Sequence, residues 1–330
     1  MTGLLVSSRF LEANADRLAA VARGAGLELD PIVLPRDSEA RLSPEDVDRI
    51  QIAFFSGDVF ADGIGRAFFA AAQGAPNLEW LHVFNAGVDN PVFTRILEKG
   101  TRISTSSGST AEPIAQTLIA GMLMLAREFP AWLDAQRRHA WEPLPRERTP
   151  RDLRGQTMVV VGLGAIGCEI ARLARAFGLN VIGVRRSPLR EGDHVDDVRP
   201  PSELPSLLPG CDWLALACPL TDETRRLVDA SAISLLPRGA RILNIARGEV
   251  VDEPAMIEAL RCGHLGGAYL DVVEQEPLPA DSPLWDLPNV IITPHNSAAS
   301  TGNDARVLEY FFENLSRWGR GEPLVNEVTV

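Results

Sequence analysis

The sequence predicts an α/β protein of two domains, each built on a parallel sheet, the larger of them doubly wound. Three observations point there. The 330 residues are enough for two separate cores. The first hundred residues alternate short apolar runs with polar segments. From Thr157 a second series of near-continuous apolar strands begins and runs straight into a glycine-rich turn.

In the first series GLLVSS, PIVLP, IQIAFFS, LEWLHVF and TRISTSS read as strands, and FLEANADRLAAVARGAG is a clear helix between the first two. This is a small, flavodoxin-like α/β domain. In Glu112–Arg127 the residues Ile114, Leu118, Met122 and Leu125 keep helical spacing, while apolar residues continue round most of the circumference. That pattern predicts a helix buried between domains or between subunits. TMVVV, NVIGV, DWLALA, ARILNI, GAYLD and NVIIT then supply six strands of a Rossmann-type sheet. The helix expected over Asn303–Trp318 carries Val307, Phe311, Leu315 and Trp318 on one face and should return to the first domain. The expected division is 1–104 with 296–330 for a discontinuous substrate domain, and 105–295 for the dinucleotide-binding domain.

Composition narrows the function. A formal charge of −12 disfavours a nonspecific nucleic-acid binder. Lys99, the sole lysine, is a poor candidate for Schiff-base or phosphate-loop chemistry. Cys168, Cys211, Cys218 and Cys262 form no C-x-x-C pair, so no metal site is expected and free thiols in a reducing compartment fit best. The N-terminus lacks the basic and apolar regions of a secretion signal, and no run approaches the ~20 apolar residues of a membrane span. The expected location is cytoplasmic, with no membrane partner.

Gly162-Leu163-Gly164-Ala165-Ile166-Gly167 is G-x-G-x-x-G between an apolar strand and a helix with Ile166, Ile170, Leu173 and Phe177 on one face. Gly162 would permit the turn, Gly164 would admit a pyrophosphate, and Gly167 would let helix and strand approach. About 20 residues on, where an acid often accepts from a ribose 2′-hydroxyl, stand Arg185, Arg186 and Ser187. Guanidiniums bind phosphate through paired, charge-assisted hydrogen bonds, so the expected cofactor is NADP(H), with NAD(H) possible. The competing reading makes both arginines solvated loop residues.

Ligands of open parallel sheets bind beyond the carboxyl ends of the strands. Arg247 follows ARILNI, Asp271 and Glu276 follow GAYLD, and His295 follows NVIIT. These types suit hydride transfer to a 2-keto acid. Arg247 holds the carboxylate, His295 donates a proton, and Glu276 favours the imidazolium. Asp271 ranks below them as a loop anchor or a partner of the histidine or nicotinamide. His82, His139, His194 and His264 read as core or surface residues.

With these residues stand LHVFNAGVDN, AEPIAQTLIAGMLMLAR, VVGLGAIG, CPLTDETRRLVD, LNIARGEVVDEPAMIEAL, LDVVEQEPLP, LWDLPNVIITPH and GEPLVN. Together they resemble the D-2-hydroxyacid dehydrogenase family over the last three quarters of the chain, in pattern nearest its NADP-preferring glyoxylate and hydroxypyruvate reductases. The resemblance implies Arg247, Glu276 and His295 as the catalytic trio. It implies substrate contacts from Asn85, Ala86, Gly87 and Val88. It also implies cofactor contacts from Cys218, Pro219, Thr224, Ile245, Ala246, Asp271 and Ser297 beside the glycine loop, and a homodimer. Asn296 and Ser297 depart from the usual apolar, glycine-containing run, a departure expected to tune substrate choice. Glu276 speaks against the formate dehydrogenase relatives, which resemblance would give glutamine there. The expected function is NADP(H)-preferring reduction of a small 2-keto acid to a D-2-hydroxy acid. The competitors are a nucleotide-sensing, corepressor-like interaction protein on the same fold and an NAD-dependent dehydrogenase with another substrate.

Overall fold

In the computed structural model, strands β1 (Thr2–Ser7), β2 (Leu29–Leu34), β3 (Ile50–Phe55), β4 (Trp80–Val83) and β5 (Arg102–Thr105) pair side by side in the order β2-β1-β3-β4-β5. Every pairing is parallel. All residues are described except Ser38, Ala40, Asp89, Thr329 and Val330. The chain divides into two compact units, Met1–Ser109 with Thr301–Val330, and Thr110–Ser300.

β1 runs directly into the Ser8–Gly24 helix because Ser7 caps it, its hydroxyl accepting from the Phe10 amide at 3.0 Å. The Asn303–Gly319 helix belongs to this unit. It buries Val307, Phe311 and Leu315 in a core with Leu4, Val6, Phe10 and Phe54. Phe311 stacks on Phe54 with ring centroids 4.1 Å apart, and Phe10 meets both rings edge-on.

Fully buried His82 lies in the same core, and its hydrogen bonds define a neutral imidazole. Ser106 Oγ donates to the Val83 carbonyl, so it accepts from His82 Nε2 at 3.1 Å. Ser104 Oγ accepts from Trp80 Nε1 and donates to His82 Nδ1 at 2.7 Å. Burial lowers the His82 pKa from its ordinary 6.5 to about 3.

The second unit contains β6 (Thr157–Val161), β7 (Asn180–Val184), β8 (Asp197–Arg199), β9 (Trp213–Leu216), β10 (Arg241–Asn244), β11 (Gly267–Leu270) and β12 (Val290–Ile292). Their order is β12-β11-β10-β9-β6-β7-β8, all parallel. Val159 and Val161 face a core completed by Ile233, Met256 and Leu260, whereas Met158 and Val160 face one completed by Leu118, Met122, Ile170 and Ala171. Both faces are covered, which is why these strands read as unbroken apolar runs.

The Ala111–Ala126 helix packs within its own unit against β10, β11 and the Ala165–Ala176 helix. A Cβ on its Gly121 would lie 2.5 Å from the Tyr269 ring, so glycine allows the helix to lie flat on the sheet. The sheet also has a seventh strand, β8. It is three residues long, and Asp-Val-Arg offers no apolar run to announce it. Among the described residues, no helix is long and apolar enough to cross a membrane.

Candidate active site

The glycine turn after β6 is built by close approach. Gly162 has φ +96°, and a Cβ there would lie 2.7 Å from the backbone of Ala217 and Cys218. A Cβ on Gly167 would lie 1.9 Å from the Gly162 carbonyl oxygen, so the helix end can seat against the turn only without a side chain. Gly164 caps the Ala165–Ala176 helix and has open space where its side chain would be. The first N–H groups of that helix, at Ala165, Ile166 and Gly167, face the turn without helical acceptors. A cradle that excludes Cβ atoms and ends in free amides fits a dinucleotide pyrophosphate.

At the tip of β7 the two arginines part company. The side chain of Arg185 is only 10% exposed and pairs with Asp193 at 2.7 and 2.5 Å. Its Nε also donates to the Ser187 carbonyl at 3.0 Å. Burial pushes the Asp193 carboxyl up, but the Arg185 hydrogen bonds and the Arg190 amide outweigh it and hold the group below its usual value. Arg185 therefore braces the 185–193 loop. Arg186 is exposed, paired at the surface with Glu223. Arg190, which the sequence reading passed over, donates to Ser187 Oγ at 3.0 Å. Arg186, Ser187 and Arg190 thus lie together on the loop that follows β7.

Three adjacent strands deliver the expected trio. β10 is followed by a turn that buried Asn244 holds at both ends, with Nδ2 donating to the Arg247 carbonyl and Oδ1 accepting from the Ala246 amide, each at 3.0 Å. Arg247 is exposed beyond that turn, and its Nη1 donates to the Ala246 carbonyl at 2.7 Å. Next to it, Gly248 lies so near the Val273 backbone that a Cβ would overlap it at 2.0 Å, which brings the turns after β10 and β11 together. Glu276 Oε2 meets His295 Nδ1 at 2.7 Å, and Glu276 Oε1 accepts from the Val273 amide at 3.3 Å. His295 and Glu276 are both partly exposed. The Nδ1 contact orients the ring and leaves Nε2 to face a substrate.

Asp271 holds the histidine's turn. Its Oδ1 accepts from Thr293 Oγ1 at 2.6 Å and from the amides of Asn296 and Ser297 at 3.0 Å each, and Oδ2 accepts from Ser297 Oγ. Because the Thr293 hydroxyl points at Asp271, the Tyr269 hydroxyl donates to Thr293 Oγ1 at 2.8 Å. Asp271 and Ser297 are both 4% exposed. Their side chains face each other, the Ser297 hydroxyl donating to the Asp271 carboxylate. Thr224 is likewise turned inward, its hydroxyl donating to the Pro219 carbonyl at 2.7 Å and accepting from the Thr221 amide. Cys218, Ile245 and Ala246 are buried, leaving Pro219 exposed at the tip of that edge. Burial raises the Cys218 thiol to about 11.

In the other unit, Asn85–Val88 follow β4. The Asn85 carbonyl accepts from the Ser106 amide at 3.0 Å, and Ala86 and Gly87 are exposed. Sequence reasoning missed Asn244, Thr293 and Asp193. The signal for Asn244 was a lone amide inside the apolar run ARILNI.

Residues 119–297 match the family model described as the D-isomer specific 2-hydroxyacid dehydrogenase, NAD binding domain. A glyoxylate reductase of Korarchaeum cryptofilum is 33% identical over 271 residues, covering 78% of this chain and 79% of the relative. Among solved structures, a D-isomer specific 2-hydroxyacid dehydrogenase from Xanthobacter autotrophicus Py2, in complex with NADPH and MES, is similar with a TM-score of 0.74. It is 31% identical, covering 99% of this chain and 98% of that one. An NADPH-dependent glyoxylate/hydroxypyruvate reductase from Sinorhizobium meliloti, in complex with NADP and malonate, has a TM-score of 0.67 at 26% identity, covering 99% and 96%.

Proposed function

This chain belongs to the D-isomer specific 2-hydroxyacid dehydrogenase family, and from that membership we propose an NADP(H)-preferring reductase of a small 2-keto acid of the glyoxylate or hydroxypyruvate type. The observation that carries the reading is the 2.7 Å His295–Glu276 contact on the sheet edge that also bears the glycine turn. A nicotinamide cofactor, when bound, supplies the hydride. Arg247 takes the substrate carboxylate as a two-point clamp. His295 Nε2 delivers the proton that turns the keto oxygen into a hydroxyl. Glu276, bonded to Nδ1, compensates the imidazolium charge before that transfer. The product has the D configuration where it is chiral.

Preference for the 2′-phosphate rests on the tip of β7, where Arg186 is exposed and no carboxylate occupies the position that would repel a phosphate. The Arg186–Glu223 pair is a surface contact worth ~0–1 kcal/mol, little to displace. The relatives solved with NADPH or NADP support the same preference. The exposed side chains of Phe129, Trp132, Leu133 and Trp141 support self-association as a homodimer.

Steady-state oxidation of NADPH and NADH against keto acids of graded size tests this reading. The expected result is turnover with the smallest acids and a lower KM for NADPH. Arg186→Ala should raise the KM for NADPH by roughly tenfold and leave that for NADH nearly unchanged. A lower KM for NADH in the unmodified enzyme contradicts the cofactor preference, and turnover confined to bulky acids contradicts the substrate class.

A further inference from the structure

At the amino end of the second sheet, on the edge opposite the catalytic loops, β9 and β10 begin beside a cavity of about 230 Å³. Arg151, Gln156, Asp212, Trp213, Arg238 and Arg241 contribute to its lining. Arg241 opens β10, a strand otherwise apolar until Asn244. Its guanidinium carbon lies 4.8 Å from the centroid of the Trp213 ring. The ring is fixed from below by its own Nε1, which donates to Gln156 Oε1 at 2.7 Å. Arg241 Nε is buried without a hydrogen-bond partner, and among the described residues no carboxylate pairs with this side chain. Burial lowers its pKa, and Glu128 and Asp212 only partly offset that.

A guanidinium Nε withdrawn from water without an acceptor is costly, because that donor loses hydration and gains nothing in exchange. Asp212 does not repair the deficit. Its Oδ1 accepts from Arg151 at 2.9 Å, and its Oδ2 accepts from the Thr157 amide at 2.9 Å. Arg238 is exposed, with only a 3.5 Å contact to the Cys262 carbonyl, and can turn toward the cavity. Three lining arginines against one already paired aspartate, with nearby Glu128 itself paired to Arg148, leave the cavity positively charged, with unused guanidinium donors in its wall. We propose that this cavity is a binding site for a small phosphate-type oxyanion, held by Arg241 and closed over by Arg238. The stacked, partly buried fork suits the paired acceptors of a phosphate. A phosphate ion or a compact phosphomonoester fits the volume. The site sits at the far end of β10 from Arg247, so its ligand does not compete with substrate.

Calorimetric titration of the full chain with inorganic phosphate, at fixed ionic strength and with saturating NADPH, tests the proposal. A parallel titration with glycerol phosphate separates a free-phosphate site from one for a phosphomonoester. The unmodified protein and Arg186→Ala are expected to bind one oxyanion per chain. Arg241→Met, which keeps the stem over Trp213 and removes the fork, should lose that binding. Should Arg241→Met fail to fold, Arg238→Ala at an exposed position gives the answer by a severalfold weaker affinity. Absence of binding by the unmodified protein to both ligands overturns the proposal. So does an affinity unchanged in Arg241→Met, or unchanged in Arg238→Ala.

Discussion

Asp271 accepts four hydrogen bonds from the segment that carries His295, two from amides and two from hydroxyls. His295 itself has φ +50°, a left-handed conformation uncommon outside glycine, and its amide donates to the Asp271 carbonyl at 2.8 Å. One buried carboxylate thus fixes the backbone on both sides of the proposed proton donor. Asp271→Asn replaces an acceptor with an NH₂ group facing other donors. It should lower stability by about 1–3 kcal/mol in chemical denaturation. It should also reduce kcat while NADPH affinity stays close to that of the unmodified enzyme. Equal kcat and equal stability would remove Asp271 from its anchoring role. The residue types at this edge were legible because each of Arg247, Glu276 and His295 follows an apolar strand. The direction in which Asp271, Ser297, Thr224 and Arg185 turn was not legible. Their polar partners are set by backbone geometry, and Arg185 found Asp193, which a search for phosphate ligands gives no reason to inspect.

At the scale of elements, apolar patterning located strands wherever both sheet faces are covered, as in β6, where successive residues enter opposite cores. It failed for β8, and it did not announce the short helices Pro44–Arg49, Gly57–Ala61 and Pro91–Leu97. Elements of three to seven residues carry too little periodicity to register. β4 presents a different case, a histidine inside a central strand. His82 is neutral when folded because protonation would cost Nδ1 its bond from Ser104 and place a charge in the core. Its folded pKa is depressed to about 3 from 6.5. Below pH 6.5 the unfolded chain therefore takes up a proton that the folded chain refuses, and stability falls as pH drops toward about 3. The contribution approaches about 1.4 kcal/mol per pH unit. Equilibrium unfolding between pH 6.5 and pH 4 should have a shallower pH slope in His82→Gln. An identical slope in the two proteins would mean that His82 is not the group responsible.

For the molecule as a whole, two parallel sheets of different size were foreseeable from two runs of alternating elements. Which helix covers which sheet was not, as the Ala111–Ala126 helix demonstrates. Its all-round apolar surface states that it is buried and leaves the covering elements unnamed. The proposed catalytic side chains Arg247, Glu276 and His295 all belong to one unit, on turns after three neighbouring strands. Their arrangement is therefore a property of a single sheet edge, held by Asn244, Gly248 and Asp271. The central claim is that His295 transfers the proton in a hydride reduction at this edge. Turnover of NADPH with glyoxylate by His295→Asn, measured beside its dissociation constant for NADPH, tests it most directly. The account predicts a fall in kcat of about 10²–10⁴-fold with cofactor affinity unchanged. A kcat within a few-fold of the unmodified enzyme would contradict it.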